Sequence, residues 1–430
     1  MSARFDVVVV GAGPGGIAAA AVAAEAGKRV CLLDANPSPG GQIWRGLHAE
    51  MARQHPHGAT FAGWSARLVK SGCEVRNGWQ VIDLIEAGRL RAESENECRD
   101  VEFERLILAT GARERFLPFP GWTLPGVMGA GGAQALVKSG LDARGKRVVV
   151  AGSGPLLLAV AAALARAGAS VEAIVEQAPR ARLAGLGLRM LLSHPGKLAE
   201  GARYRLQTLR AKYRCGSWVT RVEGRGRAER VWISDGDKEH SLACDWLACG
   251  FHLVPNLELP QLWGCRLDAG YVAVDDLQQS SVPGVACIGE LTGIGGLEKA
   301  LVEGQIAGHA AAGREAQALA LNRRGRKQRA FAGHLGRAFA LRAELRSLPA
   351  AETPVCRCED IAHNALTACT SWRQAKLHTR CGMGPCQGRI CGAATEFLYG
   401  WGPADVRPPI YPVRISRLVD EPNSTRSATL

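Results

Sequence analysis

No run of eighteen uninterrupted apolar residues occurs in the 430-residue chain, so nothing in it predicts a membrane span. The first residues lead straight into an apolar strand at Phe5–Val10, which is expected to leave no room for a signal peptide. Fourteen cysteines are too sparse for a disulfide scaffold at this length. Most of them, such as Cys31 among apolar neighbours, read as reduced core thiols, which predicts a reducing cytoplasm. Cys31, Cys73 and Cys98 are the only cysteines in the first hundred residues, and no two form a C-x2-C or C-x4-C pair. No early pair stands beside Gly126–Gly132 either. A disulfide reductase therefore lacks its dithiol relay.

The net charge of +13 permits binding to nucleic acid or to an anionic membrane. Its arginines are scattered, however, and the densest run, Arg323–Arg329, falls in an expected linker. The charge reads as a solvated or partner-facing surface, and no nucleic-acid role is expected.

What is present points to nucleotide chemistry. With 47% apolar residues, the chain can bury two or three domain cores. The strand Phe5–Val10 runs into Gly11-Ala-Gly-Pro-Gly-Gly16, a helix follows from Ile17 to Ala26, and a second strand, Arg29–Leu33, ends at Asp34. This strand, GxGxxG, helix, strand and acid form a Rossmann fingerprint in its proper context. Gly11 allows the tight turn, Gly13 lets a pyrophosphate approach the backbone, and Gly16 lets helix and strand pack closely. Pro14 opens the helix whose N-terminus faces the phosphates. Asp34 is expected to take a hydrogen bond from the adenosine ribose.

Three further segments favour FAD over NAD. Pro39–Arg45, with Gly41 and Gln42, lies where a flavoprotein brings a glycine turn beneath its isoalloxazine. Arg105–Gly111 is a buried strand ending in an Ala-Thr-Gly turn at Thr110 and Gly111. Val285–Glu290 and Gly293–Gly296 stand where such proteins grip the ribityl chain and the flavin pyrimidine. There Gly289-Glu290 replaces the usual Gly-Asp, and Gly295 and Gly296 are expected to offer backbone N–H groups to the flavin.

A second unit begins at Lys146, with a glycine loop at Gly152 and Gly154, a helix over 158–167, a strand over 170–175 and Glu176 at its end. Leu157 stands at the third glycine position, where it is expected to push the helix off the strand and crowd the nucleotide. This predicts a vestigial fold, or one holding another adenine nucleotide, in preference to an NADH site.

Near the C-terminus, Cys356 and Cys358 form a C-x-C pair, and Cys386 and Cys391 a C-x4-C pair in the glycine-rich run Thr379–Cys391. This spacing suits a [2Fe–2S] centre, with a four-thiolate zinc site and unconnected thiols as the alternatives. Cys381 rivals Cys386, but the Gly384-Pro385 corner favours Cys386. His363 and His378 read as solvated. Short helices are expected at 359–369 and 374–378.

The α/β fold expected is thus a two-dinucleotide-binding-domain, glutathione-reductase-like flavoprotein with a small C-terminal [2Fe–2S] module. Its FAD domain would comprise residues 1–121 and 252–313, closed by a helix over 298–313. Residues 122–251 would be the inserted second domain, 314–351 a basic helical linker crossing the surface, 352–402 the cluster module and 403–430 an extended tail.

The runs Phe119–Gly132, Gly289–Gly296 and Thr379–Cys391 resemble the α (A) subunits of heteromeric FAD-dependent amine dehydrogenases. That group includes the A subunits of opine oxidase, the α subunits of D-hydroxyproline dehydrogenase and the matching component of hydrogen cyanide synthase. The resemblance implies FAD on Gly11, Gly13, Gly16 and Asp34, and a [2Fe–2S] module like bacterioferritin-associated ferredoxin on Cys356, Cys358, Cys386 and Cys391. It implies a β subunit similar to D-amino-acid oxidase that oxidises an opine, hydroxyproline, proline or glycine. Electrons would pass through this chain to a quinone or a carrier. The resemblance leaves open a small third subunit, an FMN at a subunit interface, ATP in the second domain and a peripheral place at the inner face of the membrane. No general base is expected in the chain. A self-sufficient NAD(P)H-dependent flavin reductase is the alternative enzyme.

Overall fold

The computed structural model describes residues 3–47, 56–403 and 406–417. Its first sheet is built on β1 (Ala3–Val10), whose Val7, Val8 and Val9 are fully buried between two layers. A strand buried on both faces reads as a continuous apolar run, which is why β1 carries four consecutive valines. β1 pairs in parallel with β2 (Val30–Asp34) on one side and with β6 (Cys98–Leu108) on the other. β3 (Glu74–Asn77) extends one edge of the sheet. β5 (Arg89–Glu93) pairs antiparallel with the first half of β6, and β4 (Gln80–Glu86) pairs antiparallel with β5 at the sheet's edge. The strand Val285–Cys287 returns to the second half of β6, in parallel register with Leu106–Leu108. Residues far apart in sequence thus complete one sheet.

Helix α1 (Pro14–Glu25) covers one face of this sheet, and α2 (Gly58–Lys70) lies outside it. α1 is alanine-rich because a second helix, Leu297–Ala311, packs closely along it. A Cβ on Gly304 would sit 2.2 Å from the Gly15 carbonyl oxygen, and one on Gly308 would sit 2.7 Å from that of Ala19. No side chain fits at either contact.

Two short strands, β7 (Ala112–Glu114) and β16 (Leu253–Pro255), pair antiparallel and carry the chain between the first sheet and the second. The second sheet runs in the order β11 (Lys212–Cys215), β10 (Ser170–Glu176), β9 (Arg147–Ser153), β15 (Trp246–Phe251) and β8 (Val127–Gly129). All four of its pairings are parallel. A three-stranded antiparallel meander, β12 (Trp218–Glu223), β13 (Arg230–Ser234) and β14 (Glu239–Ala243), covers one face. Helices α3 (Ala130–Lys138) and α4 (Leu156–Arg166) contact this sheet. A helical excursion, α5 (Arg180–Ser193) and α6 (Pro195–Gln207), follows β10.

The segment expected to cross the surface as a linker does more than that. Its helix Asn322–Ala338 buries Phe331, Leu335 and Ala338 against Ala178 and Leu186, and Leu345 sits wholly within the core of the second sheet. The arginines of the run Arg323–Arg329 occupy the rest of that helix, with Arg329 paired to Asp276 at 3.3 Å. The tail beyond Pro403 also docks on its own chain. Ile410 is 5% exposed, packs in the core of the first sheet and donates its N–H to the Ile82 carbonyl at 3.0 Å. Residues 404–405 and 418–430 of that tail lie outside the described residues. Among the described residues no helix is long and apolar enough to cross a membrane.

Candidate cofactor sites

The first glycine loop has the shape its sequence requires. Gly11 has φ +106°, and a Cβ there would lie 2.4 Å from the Ala109 carbonyl oxygen. One on Gly16 would lie 1.8 Å from the Gly11 oxygen, so a hydrogen alone fits. Gly13 differs: a Cβ there would meet nothing within 4 Å. Pro14 is the first residue of α1, and no side chain caps that helix. Unsatisfied N–H groups therefore face an open space beside Gly13, which fits a pyrophosphate. Gly41 closes over this loop, where its Cβ would lie 2.9 Å from Gly13 Cα, and Gly40 donates its N–H to the Ala12 carbonyl at 2.7 Å. Gln42 points outward, accepting from Arg45 Nε at 3.2 Å. Trp44 is buried beneath the same turn.

Asp34 ends β2 at 6% exposure. Its Oδ2 accepts from the Ala12 N–H, and its Oδ1 from both the backbone N–H and the side-chain amide of Asn36 at 2.7 Å. The acid is thus fixed at the rim of the glycine loop, where a ribose would lie. Asn256, beyond β16, clamps the Ala-Thr-Gly turn: its Nδ2 donates to the Thr110 carbonyl at 2.8 Å and its N–H to that of Gly111 at 3.0 Å. Thr110 Oγ1 donates back to the Asn256 carbonyl at 3.0 Å.

The late segment corrects one expectation. The N–H groups of Gly295 and Gly296 are not turned to a flavin; they donate to the Glu290 carboxylate at 2.8 and 3.0 Å. Glutamate is one methylene longer than the usual aspartate, which lets its carboxylate fold back over these amides. Burial nonetheless pushes the Glu290 carboxyl above its ordinary range, against the pull of Lys299 and the two amides. Gly289 has φ +71° and donates its N–H to Glu303 at 2.9 Å. Lys299 sits behind it, 1% exposed, and belongs to no motif. Its Nζ donates to the Gly289 carbonyl at 2.7 Å, to Thr292 Oγ1 at 2.6 Å and to Glu303 at 2.8 Å.

The second glycine loop differs in a way the third-glycine rule does not anticipate. Leu157 does not crowd a nucleotide; it is 2% exposed and packs among Val148, Val150, Val160 and Leu164 between helix and sheet. The Glu176 carboxylate instead takes the Gly154 and Ala178 N–H groups, each at 2.8 Å. Gly154 matches Gly13 of the first loop, so the amide that would face a phosphate already faces a carboxylate. The chain also covers this loop. Ser153 Oγ donates to the Phe339 carbonyl at 3.1 Å, and Gln177 accepts from the Arg342 N–H at 3.1 Å.

Burial drives the Glu176 carboxyl up from 4.5 to about 7, against its backbone hydrogen bonds. The native state therefore binds this proton more tightly than the unfolded chain does. The associated stability is complete below pH 4.5 and is lost as pH rises through about 7. Between those limits the loss amounts to roughly 3 kcal/mol. Glu176→Gln should flatten the fall in melting temperature from pH 5 to pH 8, and parallel melting curves for the two proteins would contradict this assignment.

Glu114 is a further buried carboxylate that sequence reasoning misses. It caps α3, accepting the Gly131 and Gly132 N–H groups at 2.7 and 3.1 Å. Burial raises its carboxyl above the ordinary range. It also explains the local glycines: a Cβ on Gly129 would lie 2.5 Å from Glu114 Oε2, and one on Gly250 2.8 Å from Oε1.

The C-terminal module places the four expected thiols in two groups and adds a fifth. Cys356 ends the strand Pro354–Cys356, and Cys391 opens the helix Cys391–Tyr399. Cys358 and Cys386 lie close enough to each other to interact electrostatically. Cys381, which the Gly384-Pro385 corner ranks behind Cys386, lies with Cys356 and Cys391, all three sulfurs being within 4.8 Å of one another. Hydrogen bonds from Cys381 and Cys391 hold the Cys356 thiol well below its ordinary range, and the Gly382 N–H adds another at 3.4 Å. Glycines close the loop around a buttress: a Cβ on Gly382 would lie 2.4 Å from the Trp372 ring, and one on Gly384 2.3 Å from Cys358 Cβ. Helix Trp372–Thr379 is longer than expected, while the 359–369 helix shrinks to His363–Leu366. Asp360 at φ +51° and the pairing of Ile361–Ala362 with Pro354–Cys356 prevent an earlier start. His363 hydrogen-bonds Tyr399 at 2.6 Å, and His378 is exposed. Five thiols in one small module form a soft donor set that fits iron–sulfur ligation.

One side chain joins the two candidate sites. Arg113 on β7 donates from Nη1 to Asn256 Oδ1 at 2.8 Å and from Nε to the Arg389 carbonyl at 3.0 Å, and it pairs with Glu258 at 2.9 Å. Asn256 holds the Thr110–Gly111 turn, while Arg389 lies between Cys386 and Cys391.

Comparison with known proteins agrees with this architecture. The family model for pyridine nucleotide-disulphide oxidoreductases matches residues 5–316. The A subunit of opine oxidase from Rhizobium meliloti is 34% identical, with 97% of this chain and 98% of the relative covered. The HcnB subunit of hydrogen cyanide synthase from Pseudomonas protegens is 32% identical over 90% of each. Among solved structures, the L-proline dehydrogenase of P. horikoshii superposes with a TM-score of 0.71 at 19% identity, covering 98% of this chain and 81% of that one. Thioredoxin reductase of T. acidophilum superposes with a TM-score of 0.56 at 23% identity, over 72% of this chain and 98% of that one.

Proposed function

Because this chain belongs to the pyridine nucleotide-disulphide oxidoreductase family, alongside opine oxidase A subunits and HcnB, we propose that it is the electron-transfer subunit of a heteromeric dehydrogenase for a secondary amine or amino acid. The fold is that of a two-domain flavoprotein, and the chain is an oxidoreductase subunit. FAD at the first glycine loop and a [2Fe–2S] cluster in the C-terminal module would together supply two-electron and one-electron redox chemistry. Gly11, Gly13, Gly16, Asp34, Gly41, Thr110, Gly111 and Gly289 would hold the first, and Cys356, Cys358, Cys386 and Cys391 the second. Substrate oxidation is assigned to a separate flavin-bearing partner similar to D-amino-acid oxidase, with a quinone or carrier as acceptor.

The observation that carries this reading is the Arg113 bridge, which fixes the cysteine loop against the turn beside the expected flavin. A self-sufficient NAD(P)H reductase is disfavoured, because Glu176 and the segment around Phe339 already occupy the second glycine loop.

The test is anaerobic co-purification of the chain with its partner, followed by dye reduction with opines, prolines and glycine. We expect a flavin absorbance band, a paramagnetic signal on dithionite addition, turnover with one of these amines, and no bleaching of the isolated chain by NADH. Rapid bleaching by NADH, or a complex with neither flavin nor paramagnetic signal, would overturn the reading.

A further inference from the structure

Cys356, Cys381 and Cys391 come from three separate segments, yet their sulfurs lie within 4.8 Å of one another. Each is at most 1% exposed. A tetrahedral thiolate site with metal–sulfur bonds of about 2.3 Å sets its ligand sulfurs about 3.8 Å apart, so this triad needs only a small contraction to close on one ion. A two-iron cluster makes a different demand, since its four ligands divide between two metal atoms. Cys358 and Cys386, which lie close to each other, take no part in the triad.

We propose that Cys356, Cys381 and Cys391 form a mononuclear site for a thiophilic divalent cation, Zn2+ in particular, as a second metallation state of this module. Thiolate donors select such ions over the harder cations. Each thiol gives its proton to solvent as the ion binds, and a water completes the tetrahedron. Cys356 and Cys391 belong both to this site and to the cluster site, so the two states exclude each other. Cys381 serves the single ion alone, and Cys386 the cluster alone. The proposal stands even if the cluster assignment fails.

The experiment uses the full chain, reduced and stripped of metal without oxygen. Co2+ is titrated while thiolate-to-cobalt absorbance is followed, and Zn2+ is then added to displace it. In parallel, the chain is reconstituted with iron and sulfide. Wild type should bind one Co2+ that Zn2+ displaces. Cys381→Ser should weaken Co2+ by at least about 100-fold, more than the loss of an outer-shell partner costs, yet take up the cluster as wild type does. Cys386→Ser should bind Co2+ within about 3-fold of wild type and fail to hold the cluster. Flavin content reports folding in every variant, since the first glycine loop lies in another sheet. The proposal fails if Cys381→Ser binds Co2+ like wild type, if Cys386→Ser loses Co2+ equally, or if Cys381→Ser loses the cluster.

Discussion

A chain carrying Gly16→Ala is expected to purify without flavin and to melt well below the wild type. The added methyl would lie 1.8 Å from the Gly11 carbonyl oxygen and 3.4 Å from Ala109 Cβ. Neither neighbour can yield, because the Gly11 backbone is held by its N–H bond to Leu33 at 2.7 Å and Ala109 by its bond to Val10 at 2.8 Å. α1 must therefore lift off the sheet, at a cost of about 3 kcal/mol or more, and its N-terminus moves away from the phosphates. Gly13→Ala provides the control. Its φ of −73° suits any residue and no protein atom lies within 4 Å of the new methyl, so folding should be nearly unaffected. The methyl would instead fill the space where a pyrophosphate has to approach. The flavin-to-protein absorbance ratio and a thermal melt separate the two outcomes. Stoichiometric flavin in Gly16→Ala would refute this account of the loop.

Lys299→Met should be strongly destabilising although it introduces no steric clash in the helix Leu297–Ala311. Lys299 and Glu303 have side chains 1% and 0% exposed and form an ion pair of 2.8 Å one helical turn apart. Removing the ammonium leaves a buried carboxylate whose remaining partners among the described residues are the Gly289 N–H at 2.9 Å and the Thr292 hydroxyl at 2.8 Å. Stranding one member of such a pair costs about 3–5 kcal/mol. The Gly289 carbonyl and Thr292 lose the Lys299 donor as well, leaving the carbonyl with the Thr292 hydroxyl at 3.0 Å, so the turn expected near the ribityl chain should loosen. Lys299→Met combined with Glu303→Gln removes the stranded charge and should recover part of the loss. Urea unfolding of the two single variants and the double variant measures the coupling. Strict additivity would mean that the pair does not act as a unit.

The parts of this molecule that are legible in sequence are those set by short-range backbone sterics. The first glycine loop, its helix and Asp34 follow from a local pattern in which each glycine has one task. The second sheet is equally visible in the valines of β9 and the strand ending at Glu176. What escapes are contacts made by carboxylates reaching across the chain. Glu176 and Glu290 each cap backbone amides that a motif would reserve for a ligand, Glu114 caps the start of α3, and nothing local announces where a glutamate will fold. Leu157 looks like an obstruction because the fingerprint compares loops, whereas its side chain turns into the helix–sheet interface. Lys299 and Glu303 stand at helical i,i+4 spacing, but an isolated pair of this kind is usually a solvated face. The role of Cys381 depends on the φ +67° turn at Arg380, which swings the next residue inward and is not encoded by cysteine spacing.

The C-terminal module is tied down on two sides. Trp122 Nε1 donates to the Pro354 carbonyl at 2.7 Å, Arg113 holds Arg389, and Arg346 donates to the Phe397 carbonyl at 3.0 Å. Under the function proposed above, a module so moored would not swing to ferry charge outward: an acceptor would have to come to it, and the exposed Met383 marks the side from which the cysteine loop can be approached.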